Sequence, residues 1–349
     1  MKQVTYYVGI DIAKDTFTTA IFVNPETPSI VKENFSNTLE GFDEFINWLS
    51  SEKVTPEDSL VCMETTGVYT EQLCYYLHAK GYNVSVHDAA RIAKSSPKAN
   101  KNDRTDSQKV AEYAYRHYDE LTPWIPKSEI LEQMEVLLTI REQFIKQKSA
   151  NINVLKALKL KHVQTPLANS MLQESIDTLK QKIKDIEKEL RDLIDKDQNI
   201  KEIVSLLDSV PGVDLLLGVN MVVLTNGFDP NIEINYKHMA SLLGIAPNEH
   251  TSGKSIRKKT KSKGFGPPRL RKLLYLAARS LRTHNKSFKE YFYQKLKKGK
   301  PKKLIFNNIA NKLLKIMCAI IKSKKAYVKD HVSVNPLILK NNTKKTKKS

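Results

Sequence analysis

Four carboxylates in this chain have the residue type and spacing that phosphate chemistry needs. Gly9-Ile10-Asp11-Ile12-Ala13-Lys14 sets an acid inside an apolar run. A carboxylate buried in a strand must be paired, hydrogen-bonded or bound to a cation, because burying a lone charge is prohibitive. Val61-Cys62-Met63-Glu64 sets a second acid at the carboxyl end of another apolar run, leading into Thr65-Thr66-Gly67-Val68-Tyr69. Lys101-Asn102-Asp103-Arg104-Thr105-Asp106 then carries two aspartates at i and i+3, which share one face of a helix. Two strand-end acids and a helical pair can enclose two divalent ions, and such hard oxygen ligands suit Mg2+ or Mn2+. A two-metal site stabilises both the attacking and the leaving oxygen of an in-line phosphoryl displacement. Each acid also has an ordinary role open to it. Asp103 could be a helix N-cap, Asp106 surface charge paired with Lys101 or Lys109, and Glu64 a strand end facing water. Asp15 and Asp88 read as surface or loop residues.

The elements that must position these acids follow from periodicity. Val4 to Ala13, Thr16 to Val23 and Ser29 to Phe35 read as three consecutive strands. Phe42, Phe45, Ile46 and Leu49 give Leu39 to Ser50 helical spacing. Ser59 to Met63 is a short buried strand, Thr70 to Lys80 a helix closed by Gly81, and Asn83 to His87 a fifth strand. A further helix begins near Asn102 or Asp103. Three meandering strands followed by alternating helix and strand is the order of an α/β RNase H-like (RuvC-like) fold, predicted here for residues 1–125.

Residues 126–200 read as a helical region whose one interior break is Pro166. Within it Leu172, Ile176, Leu179, Ile183, Ile186, Leu190 and Leu193 step by 4, 3, 4, 3, 4, 3, an a/d seam. An antiparallel hairpin with Ile130 to Leu160 and an intermolecular coiled coil both satisfy that pattern. Residues 201–335 read as a mainly α domain. One helix starts at Pro267-Pro268 and runs through Leu270, Leu274 and Leu281, and a last one carries Ile305, Ile309, Leu313, Ile316 and Ile320. The lysine-rich residues 336–349 read as a disordered tail.

The charge is unevenly spread. The chain carries +19, of which residues 251–349 hold +28 and residues 1–250 hold −9. A positive field confined to one region attracts a polyanion, so nucleic acid is the expected partner. Cys62, Cys74 and Cys318 lie far apart with no metal spacing, which argues against a disulfide framework or a zinc site and fits a reducing cytosol. The first residues lack the apolar core of a signal peptide, and no apolar run reaches the roughly 20 residues that span a bilayer, so a cytoplasmic protein without a membrane is expected.

The motifs Gly-Ile-Asp-Ile-Ala-Lys, Glu-Thr-Thr-Gly-Val-Tyr and Lys-x-Asp-x-x-Asp resemble those of the DEDD transposases of the "one-ten" insertion-sequence family, which includes Piv-type DNA invertases and bridge-RNA-guided recombinases. The resemblance continues through Ser209-Val210-Pro211-Gly212-Val213, similar to the family's Pro-Gly turn. It extends to Leu243-Gly244-Ile245-Ala246-Pro247 with Thr251-Ser252-Gly253, similar to its serine motif, and to Lys263-Gly264 through Tyr275-Leu276-Ala277-Ala278. The chain departs from that pattern at Asp214, where a second glycine is usual, at Thr251, where Gln is common, and at Gly266-Pro267-Pro268.

The resemblance implies that Asp11, Glu64, Asp103 and Asp106 bind Mg2+ and that Ser252 is a nucleophile forming a covalent phosphoserine–DNA intermediate. It also implies DNA as substrate, an element-encoded guide RNA and a homo-oligomer, either dimer or tetramer. Ser252 by itself reads as part of a flexible basic loop, and a phosphate-cradling P-loop fails because position 248 is Asn248. Lys254, Arg257, Lys258, Lys263, Arg269, Arg271 and Lys272 are the expected nucleic-acid contacts. Two other readings stay open: a Holliday-junction resolvase-like or Piv-type enzyme working without a guide, and an inert nucleic-acid-binding protein.

Overall fold

The computed structural model describes residues 4–65, 67–95, 103–228, 235–252, 256–262, 264 and 266–328. The expected tail at 336–349 lies outside them. The chain divides into two compact units, Met1–Pro126 and Lys127–Ser349.

The first unit is built on strands β1 (Tyr6–Ile12), β2 (Thr16–Phe22), β3 (Ile30–Ser36), β4 (Ser59–Glu64) and β5 (Asn83–His87). They form one sheet in the order β3-β2-β1-β4-β5. β1 pairs antiparallel with β2 and parallel with β4, and β4 pairs parallel with β5. That mixed order agrees with the RNase H-like expectation. Apolar side chains cover both faces, as a sheet buried on two sides requires. One face packs Val8, Ile10, Phe17, Val61 and Met63 against α1 (Leu39–Ser51) and α2 (Glu71–Ala79). The other packs Tyr7, Ala20, Leu60 and Cys62 against α3 (Ala89–Ser95) and α4 (Asp103–His117). The short helix α3 has no counterpart in the periodicity.

The second unit begins with α5 (Glu129–Leu158) and α6 (Pro166–Lys196). Ser128 caps α5 by accepting from the Leu131 amide, and Pro166 opens α6, where a missing N–H costs nothing. The two helices pair antiparallel. Arg141 Nε and Nη2 donate to Glu187 Oε1 at 2.9 and 2.6 Å, and further along Asn151 Nδ2 donates to Ser175 Oγ at 3.0 Å. The heptad seam is buried from Ile176 to Leu193 inside this hairpin, the first of its two possible arrangements.

The root of the hairpin (Leu131, Met134, Leu138, Leu190, Leu193) shares one core with α7 (Gln198–Asp208), α8 (Leu215–Leu224), α9 (Tyr236–Leu242), α10 (Pro268–His284), α11 (Lys286–Lys297) and α12 (Lys302–Ser323). Asp214 caps α8, its Oδ1 accepting from the Leu217 amide at 2.8 Å, which gives this departure from the family pattern a structural role. Among the described residues α12 is long and apolar enough to cross a bilayer, against the sequence expectation. Its apolar positions are instead spent on the core: Ile305, Ile309, Leu313, Leu314 and Met317 are all buried there.

A two-stranded ribbon, β6 (Pro247–Ser252) with β7 (Ile256–Ser262), interrupts the otherwise helical second unit. It stands where the residues alone suggest a basic loop.

Candidate active site

The acid site begins with a glycine. Gly9 precedes Asp11 by one pleat, so both face α4. A Cβ on Gly9 would stand 2.2 Å from the Ala111 amide nitrogen and 2.3 Å from the Ser107 carbonyl oxygen. Only glycine lets the helix backbone lie directly on the strand. The direction of α4 is set by aromatic packing, since Tyr7 at the start of β1 meets the rings of Tyr115 and Tyr118 at 5.3 and 6.3 Å. The helix therefore runs against β1, and its first turn, holding Asp103 and Asp106, lies toward the Asp11 end.

Glu64 joins Asp11 through strand register. Ile10 pairs with Met63, so the next residues, Asp11 and Glu64, stand level at the carboxyl ends of adjacent parallel strands. Residues level in a parallel pair point to the same face, and both acids are partly buried. Thr18 of β2 faces Asp11 across the antiparallel pair. Asp103 is the first residue of α4, and its side chain lies outside the described set. Asp106 Oδ1 accepts from Lys109 Nζ at 2.6 Å, the pairing named above as its ordinary alternative. Among the described residues no three ligating side chains converge on a point. The backbone gathers the four acids at one end of the sheet, and an all-carboxylate donor set of this kind fits a hard divalent cation.

His87 is not singled out by the sequence, where its one signal is a place at the end of β5. In register it stands level with Glu64. Its Nε2 lies 2.8 Å from Ser85 Oγ, which itself donates to the Thr122 carbonyl at 2.8 Å. Burial and then the nearby Arg91 and His117 hold its pKa below the usual imidazole value. A neutral ring there donates to the serine and stacks edge-on against Tyr113 at 5.6 Å.

Ser252 belongs to the second unit. It is the last residue of β6, in register with Ile256, while Thr251 pairs with Arg257. Lys258 pairs with His250 on the same ribbon. The base of the ribbon is held from two sides. Asn307 and Asn311 of α12 both donate to the Ile245 carbonyl, at 3.1 and 3.0 Å, and the Gly264 amide donates to Gly244 O at 3.2 Å. The expected contacts Lys254 and Lys263 lie outside the described residues, and only the backbone of Arg257 and Lys258 is described.

The remaining expected contacts engage protein groups. Lys272 sits 3.7 Å from Glu142, and Arg271 Nη1 donates to the Gly266 carbonyl at 2.6 Å. Arg269 has its pKa lowered, first by burial, though Glu142 and Glu135 oppose the shift. It remains a cation at any working pH.

Comparison with known proteins places relatives along most of the chain. A family description of DEDD-type transposases matches residues 8–163, and one headed "Transposase IS116/IS110/IS902 family" matches residues 204–293. The chain is 28% identical over 327 residues to a pilin gene-inverting protein of Moraxella lacunata, covering 93% of this chain and 98% of that protein. Its counterpart in Moraxella bovis is 27% identical over the same length and with the same coverage. The family matches and the relatives together mark a DNA-recombining enzyme. The chain belongs to the IS110 family of DEDD transposases.

Proposed function

We propose that this enzyme cuts and rejoins DNA by strand transfer, with Asp11, Glu64, Asp103 and Asp106 as the metal-holding quartet and Ser252 as the nucleophile. The observation that supports the acid half is the seating of α4 on β1, close at Gly9 and oriented by Tyr7 against Tyr115 and Tyr118, which turns the start of α4 toward the strand ends bearing Asp11 and Glu64. Mg2+ or Mn2+, when bound, polarises the scissile phosphate and neutralises charge on the leaving oxygen. The serine oxygen attacks phosphorus, forming an O–P bond as the bond to a deoxyribose oxygen breaks. The Ser252 proton leaves and the freed strand end takes one up. A hydroxyl from a second strand then attacks the phosphoserine, which restores the serine and joins the new pair of ends. Bond energy is conserved, so no nucleotide cofactor is consumed. Basic groups of the ribbon and α10, among them Arg257, Lys258, Arg269, Arg271 and Lys272, stabilise the phosphate charge in this reading.

Acids and serine lie in different units, so a site completed by a second copy of the chain belongs to the proposal. The guide is the open part. An element-encoded structured RNA is proposed to set the target, while similarity to gene-inverting proteins over nearly the whole chain favours a second reading in which the enzyme acts without RNA. Purifying the protein from its own locus with flanking DNA intact, and sequencing the nucleic acid that follows it, decides between them. One discrete RNA encoded beside the gene supports guidance; non-specific fragments alone support inversion.

A further inference from the structure

Helix α11 has two distinct faces. Phe292 is buried, and Phe288, Tyr291 and Leu296 pack partly buried against the core of the second unit. The opposite face exposes Lys286, Lys289, Glu290, Tyr293, Gln294 and Lys297. Tyr293 keeps 52% of its surface open to solvent, with Lys289 one turn before it and Lys297 one turn after. Residues 286–303 contain eight lysines and one acid, Glu290. Among the described residues, none of these lysines forms an ion pair. Solubility explains lysines on a helix but not an aromatic ring held out among them. The ring is braced edge-on by Phe292, at 5.5 Å and 88°.

We infer that this face of α11 is a track for an unpaired strand of DNA, with Tyr293 as a stacking platform and Lys286, Lys289 and Lys297 on phosphates. Charge complementarity selects a polyanion, and the ring selects an unpaired one. A free base can stack on an aromatic side chain, whereas duplex bases are already stacked on each other. Lys286 to Lys297 spans about 16 Å at 1.5 Å per residue, long enough to meet more than one phosphate of a strand. The choice of DNA rests on the strand-transfer reading, in which cut strands must leave their duplex; the basic aromatic face does not depend on it.

The test is fluorescence anisotropy of the full chain with a labelled single strand, the matching duplex and an RNA of the same sequence. Chelator is present, so the outcome does not depend on the acidic quartet or on Ser252. Tyr293→Ala is expected to weaken single-stranded DNA about tenfold and leave the duplex within about twofold. Tyr293→Trp is expected to retain or improve the single-strand affinity. The triple variant Lys286→Ala, Lys289→Ala, Lys297→Ala is expected to lower the slope of log affinity against log salt by about 2, at roughly 0.7 for each phosphate no longer neutralised. Circular dichroism and Tm matching the parent confirm that these exposed changes leave the fold intact. Unchanged single-strand binding in both variants overturns the proposal, and so does a loss shared equally by the duplex. A loss confined to the RNA overturns it in favour of an RNA track.

Discussion

Gly9 and Ala111 touch through their backbones, and this contact brings one end of α4 over the strand that carries Asp11. Neither partner can yield locally, since the near atoms are the Ala111 nitrogen and the Ser107 carbonyl oxygen rather than flexible side-chain ends. Gly9→Ala is therefore expected to lift α4 from the sheet. The expected cost is about 3 kcal/mol, at the upper end of ordinary overpacking. Denaturant unfolding measures it, and cleavage should fall more than DNA affinity in the fraction that remains folded.

Asp11→Asn and Glu64→Gln keep size while removing charge. Each is expected to lower metal-dependent DNA cleavage by at least about a hundredfold, the scale on which loss of one transition-state charge partner acts. DNA affinity should hold or rise, because an anion near a polyanion has been removed. Cleavage at the parent rate in either variant would remove that residue from the quartet.

Ser252→Ala is expected to abolish a detergent-stable protein–DNA adduct while leaving DNA binding intact. The measurement is gel analysis of labelled DNA after denaturation. An adduct of parental yield in Ser252→Ala would assign the nucleophile elsewhere.

Burial pushes Cys62 and Cys74 up to about 12 and Cys318 up to about 11. At pH 9, where an exposed thiol is more than half ionised, all three should stay protonated and unreactive toward a disulfide reagent in the native protein. The unfolded chain releases those protons and the folded one holds them, so the contribution of these thiols to stability is complete below about pH 8.5 and shrinks as pH rises beyond it. Native protein labelling at the rate of denatured protein would contradict their burial.

The paired asparagines at the base of the ribbon predict a local effect. Asn307→Ala with Asn311→Ala removes both side-chain donors to the Ile245 carbonyl. Global stability should fall by about 1–3 kcal/mol, and amide exchange in residues 247–262 should speed up more than in α12. Equal acceleration in both places would show that these bonds hold the core and not the ribbon.

Legibility varies with how strongly each segment signals its own structure. Strands such as Tyr6–Ile12 and Ser59–Glu64 are dense in β-branched or apolar residues, so periodicity places their boundaries within about two residues. Asp11 and Glu64 draw attention because a carboxylate inside or at the end of an apolar run is costly unless paired, hydrogen-bonded or bound to a cation. What residue type cannot reveal is the Gly9 contact with Ala111, which joins positions a hundred residues apart. The ribbon is invisible for another reason. β7 reads Ile-Arg-Lys-Lys-Thr-Lys-Ser, with one apolar residue and no alternation, so nothing in it announces a strand. Helix α11 is hard to see because three of its apolar or aromatic residues, Tyr291, Phe292 and Tyr293, are consecutive and blur any one-sided spacing. The one-sided spacing of α12 is plain from Ile305 to Ile320, but interspersed asparagines and lysines hide how apolar the helix is along its whole length.

The hairpin of α5 and α6 is joined at its far end by residues 159–165, all partly or fully exposed, with Leu160 at 88% of its possible surface. Both arms reach the shared core at their other ends through Leu131, Met134 and Leu138 on one side and Leu190 and Leu193 on the other. An exposed bend of this kind is the sort of place where a break in the chain is tolerated. The gene could be severed there and expressed as two pieces, one ending in α5 and the other beginning with α6, with the pairing of those helices to bring them together. A recombinase whose activity depends on two separately produced fragments meeting would then follow from the chain as it already is.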